Sequence, residues 1–178
     1  MKNDFTPAKL TIAGRCVALG ILLPMLFHGV PEAGPRFLPM HIPVLLAGFF
    51  VGWKLGLLTG IVTPLLSAIL TGMPTFTPPM AFVMMFELAA YGLLAGLLYK
   101  RTKNIHVSLV VAMIGGRIIR GLAQWVLWSW LVPHLPFGWE AYVTLVFVTA
   151  LPGIVLQLAV MPLIVAAVIK AYNPIDAE

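Results

Sequence analysis

Glu87, Arg117, Arg120 and Gln124 stand inside otherwise apolar stretches, and the last three are spaced i, i+3 and i+7. On a helix that spacing puts two guanidiniums and an amide on one face. Ionisable groups are costly in hydrocarbon, so such a face points away from lipid. The chemistry on offer is recognition. A guanidinium presents a fork of donors to a carboxylate, phosphate or ring carbonyl, and Glu87 either orients it or accepts a hydrogen bond. A carboxylate and a guanidinium on neighbouring helices are equally the parts of a buried pair that fixes packing. One acid cannot neutralise two arginines, however, and the excess invites an anionic or strongly polar ligand. Glu87, Arg117, Arg120 and Gln124 are therefore the substrate-binding candidates.

His41 and Trp128 are candidates of a second rank. Trp125, Trp128, Trp130 and Trp139 cluster at one end of the same apolar stretch, where tryptophans anchor helices at a membrane interface. Trp125 or Trp128 could also wall a pocket against a flat ring. His28, His41 and His134 show no i, i+4 pair, so no metal site is expected. Thr59, Thr63 and Ser67 recur every four residues and let helices approach closely or line a site. Gln157 and Thr149 add polar groups from the last apolar stretch. The chain has no Gly-x-Ser-x-Gly element, His-Glu-x-x-His helix, phosphate-cradling Gly-rich loop or dinucleotide fingerprint. No catalytic residue, enzyme activity, ATP hydrolysis or cofactor is expected.

The elements that must position these groups are membrane helices. Of the 178 residues 61% are hydrophobic and 10% charged, and the mean hydropathy is +1.01. That leaves too little polar surface to coat a soluble globule. Apolar stretches at 10–30, 42–52, 55–72, 80–99, 106–131 and 142–170 predict an all-α polytopic bundle of six transmembrane helices, one substrate-binding domain over 1–178. The run that follows Met1 to Lys9 lacks a small-residue cleavage site and reads as a retained helix. The second stretch, 42–52, reaches only about half of a hydrocarbon core some 30 Å thick. Either it begins deep in the membrane or 42–72 is one kinked helix. Gly52-Trp53-Lys54 favours two helices joined by a turn.

Charge supports that turn. With six spans and both termini cytoplasmic, Lys2, Lys9, Arg15, Lys54, Lys100, Arg101, Lys103 and Lys170 fall on the inner side, and Arg36 is the outer-loop cation. Five spans would put Lys100, Arg101 and Lys103 outside. The net charge of +5 thus reads as topology and gives no case for nucleic acid. The single cysteine, Cys16, reads as a small packing residue. Outer segments Gly29 to His41, Gly72 to Pro79 and Val132 to Glu140 are rich in Pro, Gly and aromatics. The prolines at 31, 35, 39 and 43 preset an extended path, so the first segment is either a semi-rigid flap or an ordinary connection.

Four segments carry a resemblance to a known family over nearly the whole chain. They are Leu10 to Gly20 (LTIAGRCVALG), Leu38 to Phe49 (LPMHIPVLLAGF), Gly60 to Ser67 (GIVTPLLS) and Glu87 to Leu93 (ELAAYGL). Together they resemble the membrane-embedded S component of an energy-coupling factor transporter. The resemblance implies a prokaryotic cytoplasmic-membrane protein with six helices that captures a vitamin-like small molecule and works with a transmembrane T subunit and two ATPase subunits. It implies that the outer loops close over the cargo and that ATP-driven motion topples the subunit to release it inside. It also implies a small-x-x-x-small docking pattern on the first helix, which Gly14 and Ala18 match, with Gly in place of the usual first Ala. Small residues one turn apart permit close helix approach. The alternatives are an autonomous homo-oligomeric channel or carrier, and a small membrane enzyme using Glu87 and a histidine.

Overall fold

The computed structural model describes residues 5–26, 37–131 and 138–172. The chain forms α1 (Pro7–Leu26), α2 (His41–Val51), α3 (Trp53–Thr71), α4 (Met80–Thr102), α5 (Ile105–Leu131) and α6 (Leu151–Tyr172). No strand occurs among the described residues. α1, α3, α4, α5 and residues Leu151–Val168 are each long and apolar enough to cross a membrane, and α2 is a shorter apolar helix. The molecule is an all-helical membrane bundle.

The break expected near Lys54 falls at Gly52, whose φ of 87° and ψ of 174° end α2 and admit α3. A side chain is disfavoured at that backbone conformation, so glycine is what the junction needs. The sixth apolar stretch departs from expectation. In place of one continuous helix over 142–170, a short helical lead (Trp139–Val143) runs into a π-helical segment (Thr144–Thr149) before α6 begins. Pro152 explains the interruption, because it lacks the N–H that an α-helix would give to the Val148 carbonyl and its ring crowds that group.

The shortest helix is the most enclosed. α2 packs against α1, α3, α4 and α6, and His41, Pro43, Val44, Leu45, Ala47, Gly48, Phe49 and Val51 are buried on it. One core joins Val44, Leu45 and Phe49 of α2 to Leu88, Tyr91 and Ala95 of α4, Leu109, Ala112 and Met113 of α5, and Met161 and Val165 of α6. A smaller core joins Ala13 and Cys16 of α1 to Ala47, Val51 and Leu55. Cys16 is thus a buried packing residue, as its small size suggested.

Close backbone approach sets the spacing of α2, α3 and α4. A Cβ at Gly92 would collide with the carbonyl of Gly56, one at Gly60 with that of Leu88, and one at Gly96 with the backbone of Trp53. α3 and α4 therefore run antiparallel in fixed register. Because Gly96 abuts Trp53 and α1 packs on Val51 and Leu55, the ends bearing Lys9 and Arg15, Lys54, and Lys100 to Lys103 gather at one end of the bundle. At that end Asn104 caps α5, its Oδ1 accepting from the Val107 N–H at 3.2 Å.

Candidate functional site

Glu87 is the hub of a buried polar cluster built by three helices. Its Oε2 accepts from Arg120 Nη1 at 2.8 Å, which ties α4 to α5. Its Oε1 accepts from the Tyr91 hydroxyl at 3.2 Å, one turn along α4. His41, at the first turn of α2, brings Nε2 to 3.5 Å from the same Oε1, and its ring lies 5.2 Å from that of Tyr91. Glu87 and His41 are wholly enclosed, while Arg120 is 7% exposed. Gly116 makes room for this arrangement: a Cβ there would enter the Tyr91 ring.

Local sequence explains why the groups meet. Glu87 and Tyr91 are one turn apart on α4, so side chain reaches side chain. Arg117, Arg120 and Gln124 are all buried on the inward face of α5, in the company of Ala112, Met113, Gly116 and Gly121. The opposite face of α5 carries Val110, Val111, Ile114, Ile118 and Leu122, each exposed to the surroundings of the bundle. The two faces separate as an i, i+3, i+7 pattern requires.

The sequence-derived candidates fall into three groups. Glu87, Arg120 and His41 are brought into direct contact. Gln124 lies one turn beyond Arg120 on the same buried face, and Arg117 lies one turn before it. The Arg117 guanidinium is over the Phe147 ring, 5.8 Å from its centroid, and the Arg117 carbonyl accepts from the Tyr142 hydroxyl at 2.6 Å. A Cβ at Gly121 would collide with that hydroxyl, so glycine clears its path. Arg117 is thus held by the segment leading into α6. Trp128 is half-buried another turn along α5, and no hydrogen bond or ring contact ties it to the cluster among the described residues. Gly14 and Ala18 lie elsewhere, exposed on α1, and nothing among the described residues stands within 4 Å of where a Gly14 Cβ would be.

Two hydroxyls of the α3 stripe are taken up by backbone carbonyls. Thr63 Oγ1 donates to the Thr59 carbonyl at 2.7 Å, and a Cβ on Gly20 of α1 would meet the Thr63 methyl. Ser67 Oγ donates to the Met73 carbonyl at 2.7 Å, and the Ala81 N–H reaches the Thr75 carbonyl at 2.9 Å. The Gly72 to Pro79 segment is therefore tied to both helices it joins. Gln157 of α6 donates through Nε2 to the Leu38 carbonyl at 3.4 Å, beside the start of α2. His28, His134, residues 31 and 35 of the first proline-rich loop, and the Thr149 side chain lie outside the described residues.

Tyr91, Tyr142 and Gly116 were not among the sequence-derived candidates. Tyr91 had a legible signal, its i+4 spacing from Glu87. Tyr142 had none, since its partner is a backbone carbonyl 25 residues away.

Several buried polar atoms have no hydrogen-bond partner among the described residues: both ring nitrogens of His41, Nε of Arg120, and Oε1 of both Gln124 and Gln157. Such atoms are expensive to leave unmade, costing about 1–3 kcal/mol each.

Comparison with known proteins gives one finding. A family model described as "ECF transporter, substrate-specific component" matches residues 8–165. No curated protein and no solved structure matches the chain.

Proposed function

The chain belongs to the family of substrate-specific components of ECF transporters, and from that premise we propose that it captures a small water-soluble vitamin or vitamin precursor at the Glu87 cluster. The whole chain acts as one binding unit in a prokaryotic cytoplasmic membrane, with both termini inside. It hands its cargo to a transmembrane T subunit and two ATPases, and toppling of the loaded subunit releases the cargo to the cytoplasm.

The observation that carries this reading is the buried cluster itself. A pair that served packing alone would be sealed; here Arg120 keeps a donor and Gln124 an acceptor without partners among the described residues, one turn apart on one buried face. Glu87 engages Nη1 of Arg120, and Nε of the same guanidinium is left as a donor without a partner among the described residues. Preorganisation of this kind lowers the ordering cost of binding. The gathering of basic residues at the Lys100 end supports the inward orientation of that end. Gly14 and Ala18, exposed one turn apart on α1, offer the T subunit a close approach.

The test is native mass spectrometry of the protein purified from its own host in mild detergent. A vitamin-sized adduct together with a T subunit and ATPases is expected. Arg117→Ala and Arg120→Ala should each lose the adduct, Arg120→Ala at a stability cost of about 3–5 kcal/mol because it leaves Glu87 buried without its partner. An adduct retained by both would place the site elsewhere, and a homo-oligomer with neither adduct nor partners would point to an autonomous channel or carrier.

A further inference from the structure

α2 is enclosed on every side but one. All of its residues are buried except Ile42, Leu46 and Phe50, which are half-buried. They recur at i, i+4 and i+8, and so form one apolar stripe along the helix. On one side Leu46 and Phe50 pack against the core that holds Ala13 and Cys16 of α1. On the other, all three pack against the core that holds Met161 and Val165 of α6. α1 packs mainly on α2 and α3, and α6 on α2 and α5. The two helices thus flank α2 and leave its stripe as the floor of a slot. The floor is recessed: outward side chains such as Leu22 of α1 and Ile118 of α5 are 56% and 58% exposed, while the stripe stays half-buried. A helix, about 10 Å across with its side chains, needs a wider opening than that; a single acyl chain does not.

The mouth of the slot at the Phe50 end is basic. Lys9 lies one turn before Ala13 on α1, and Lys170 lies just over a turn past Val165 on α6, so both flanking helices carry an ammonium beyond that end of the stripe. Neither lysine has an acidic partner among the described residues, whose acids are Glu87, enclosed in the polar cluster, and Glu140, in the segment before α6. We infer that the slot between α1 and α6 holds an acyl chain of an anionic phospholipid of the inner leaflet, with its phosphate between Lys9 and Lys170. An anionic headgroup near a membrane surface gains from each such cation, whereas a zwitterionic one brings the lysines a cation of its own. The seated chain completes the packing of α2, the helix that brings His41 to Glu87. Gly14 and Ala18 are on another face, about 120–160° round α1 from Ile12, which packs on the same core as Leu46 and Phe50. The inference uses the inward orientation of the basic end and does not depend on capture at Glu87.

The experiment has two arms. In the first, a benzophenone amino acid replaces Phe50 in the full chain, the membranes of its host are illuminated, and the adduct is identified by mass spectrometry. In the second, native mass spectrometry of the delipidated full chain compares retention of phosphatidylglycerol with that of phosphatidylcholine bearing the same acyl chains, for wild type, Lys9→Gln, Lys170→Gln and the double variant. A phospholipid adduct at position 50 is expected. Wild type should prefer phosphatidylglycerol by about tenfold or more, and the preference should fall about fivefold for each lysine replaced. Phosphatidylcholine retention checks that each variant keeps its fold and its slot. An adduct to a T subunit, to a second copy of the chain or to any other protein overturns the inference. So does equal retention of the two lipids, or a preference that survives in the double variant. Each of these failures leaves vitamin capture standing, and a chain that binds the lipid but no vitamin leaves the slot standing.

Discussion

Two neighbouring faces of α4 hold the bundle together in opposite ways. Leu88, Gly92 and Gly96 form a face that meets α2 and α3 backbone to backbone, with no charged atom involved. About a hundred degrees round the helix, Glu87 and Tyr91 meet α2 and α5 through side-chain tips. The first face leaves nothing to be filled, because each glycine is already covered by a carbonyl or an amide. The second leaves buried donors and acceptors beside it without partners among the described residues. Rigidity and recognition are thereby divided between faces one residue apart. The glycine face fixes where α4 stands, so the carboxylate can be presented at a defined point.

This contrast can be broken from either side, and the largest effect is expected at the polar face. Glu87→Ala should leave Arg120 buried beside no carboxylate and cost about 3–5 kcal/mol, read as a lowered midpoint of thermal unfolding in detergent. The double variant Glu87→Leu with Arg120→Met should recover most of that loss while abolishing ligand retention. Full stability in the single variant would mean that the pair is solvated. At the glycine face, Gly92→Ala should cost about 1–3 kcal/mol by forcing α3 and α4 apart, yet leave the polar chemistry in place. Equal stability there would refute the close approach. Tyr91→Phe removes one bond to Glu87 and should cost about 1 kcal/mol. Gly14→Ala should have the smallest effect and the opposite sign, a gain of up to about 1 kcal/mol from helix propensity, since that site is open. A loss at Gly14 would show that the α1 face is covered.

Much of the fold was legible because hydropathy and charge are summed along the chain. The helices near 7–26, 53–71, 80–102 and 105–131 follow apolar runs punctuated by Gly, Pro or Lys, and a glycine at 52 breaks α2 from α3 where a turn was expected. The π-helical segment before α6 was not legible, since the residues around it remain apolar throughout and Pro152 alone does not say which pattern the preceding turn adopts. The glycines at 48, 56, 60, 92 and 96 were visible as letters. Their meaning depends on which helix faces which, and spacing on one helix does not state that.

The candidate site divides along the same line. Sequence alone could nominate Glu87, Arg120 and Gln124, because polar residues inside apolar helices have few tolerable orientations, and it could set the two arginines and Gln124 on one face, because helical spacing is local. Only the tertiary structure decided that Glu87 pairs with Arg120, that Arg117 turns to Phe147 and the segment before α6, and that His41 closes on the carboxylate from α2. Composition and periodicity determine what each helix must hide from lipid. Which hidden groups meet is set by the crossing of helices, and that rests on glycine contacts between elements far apart in the chain.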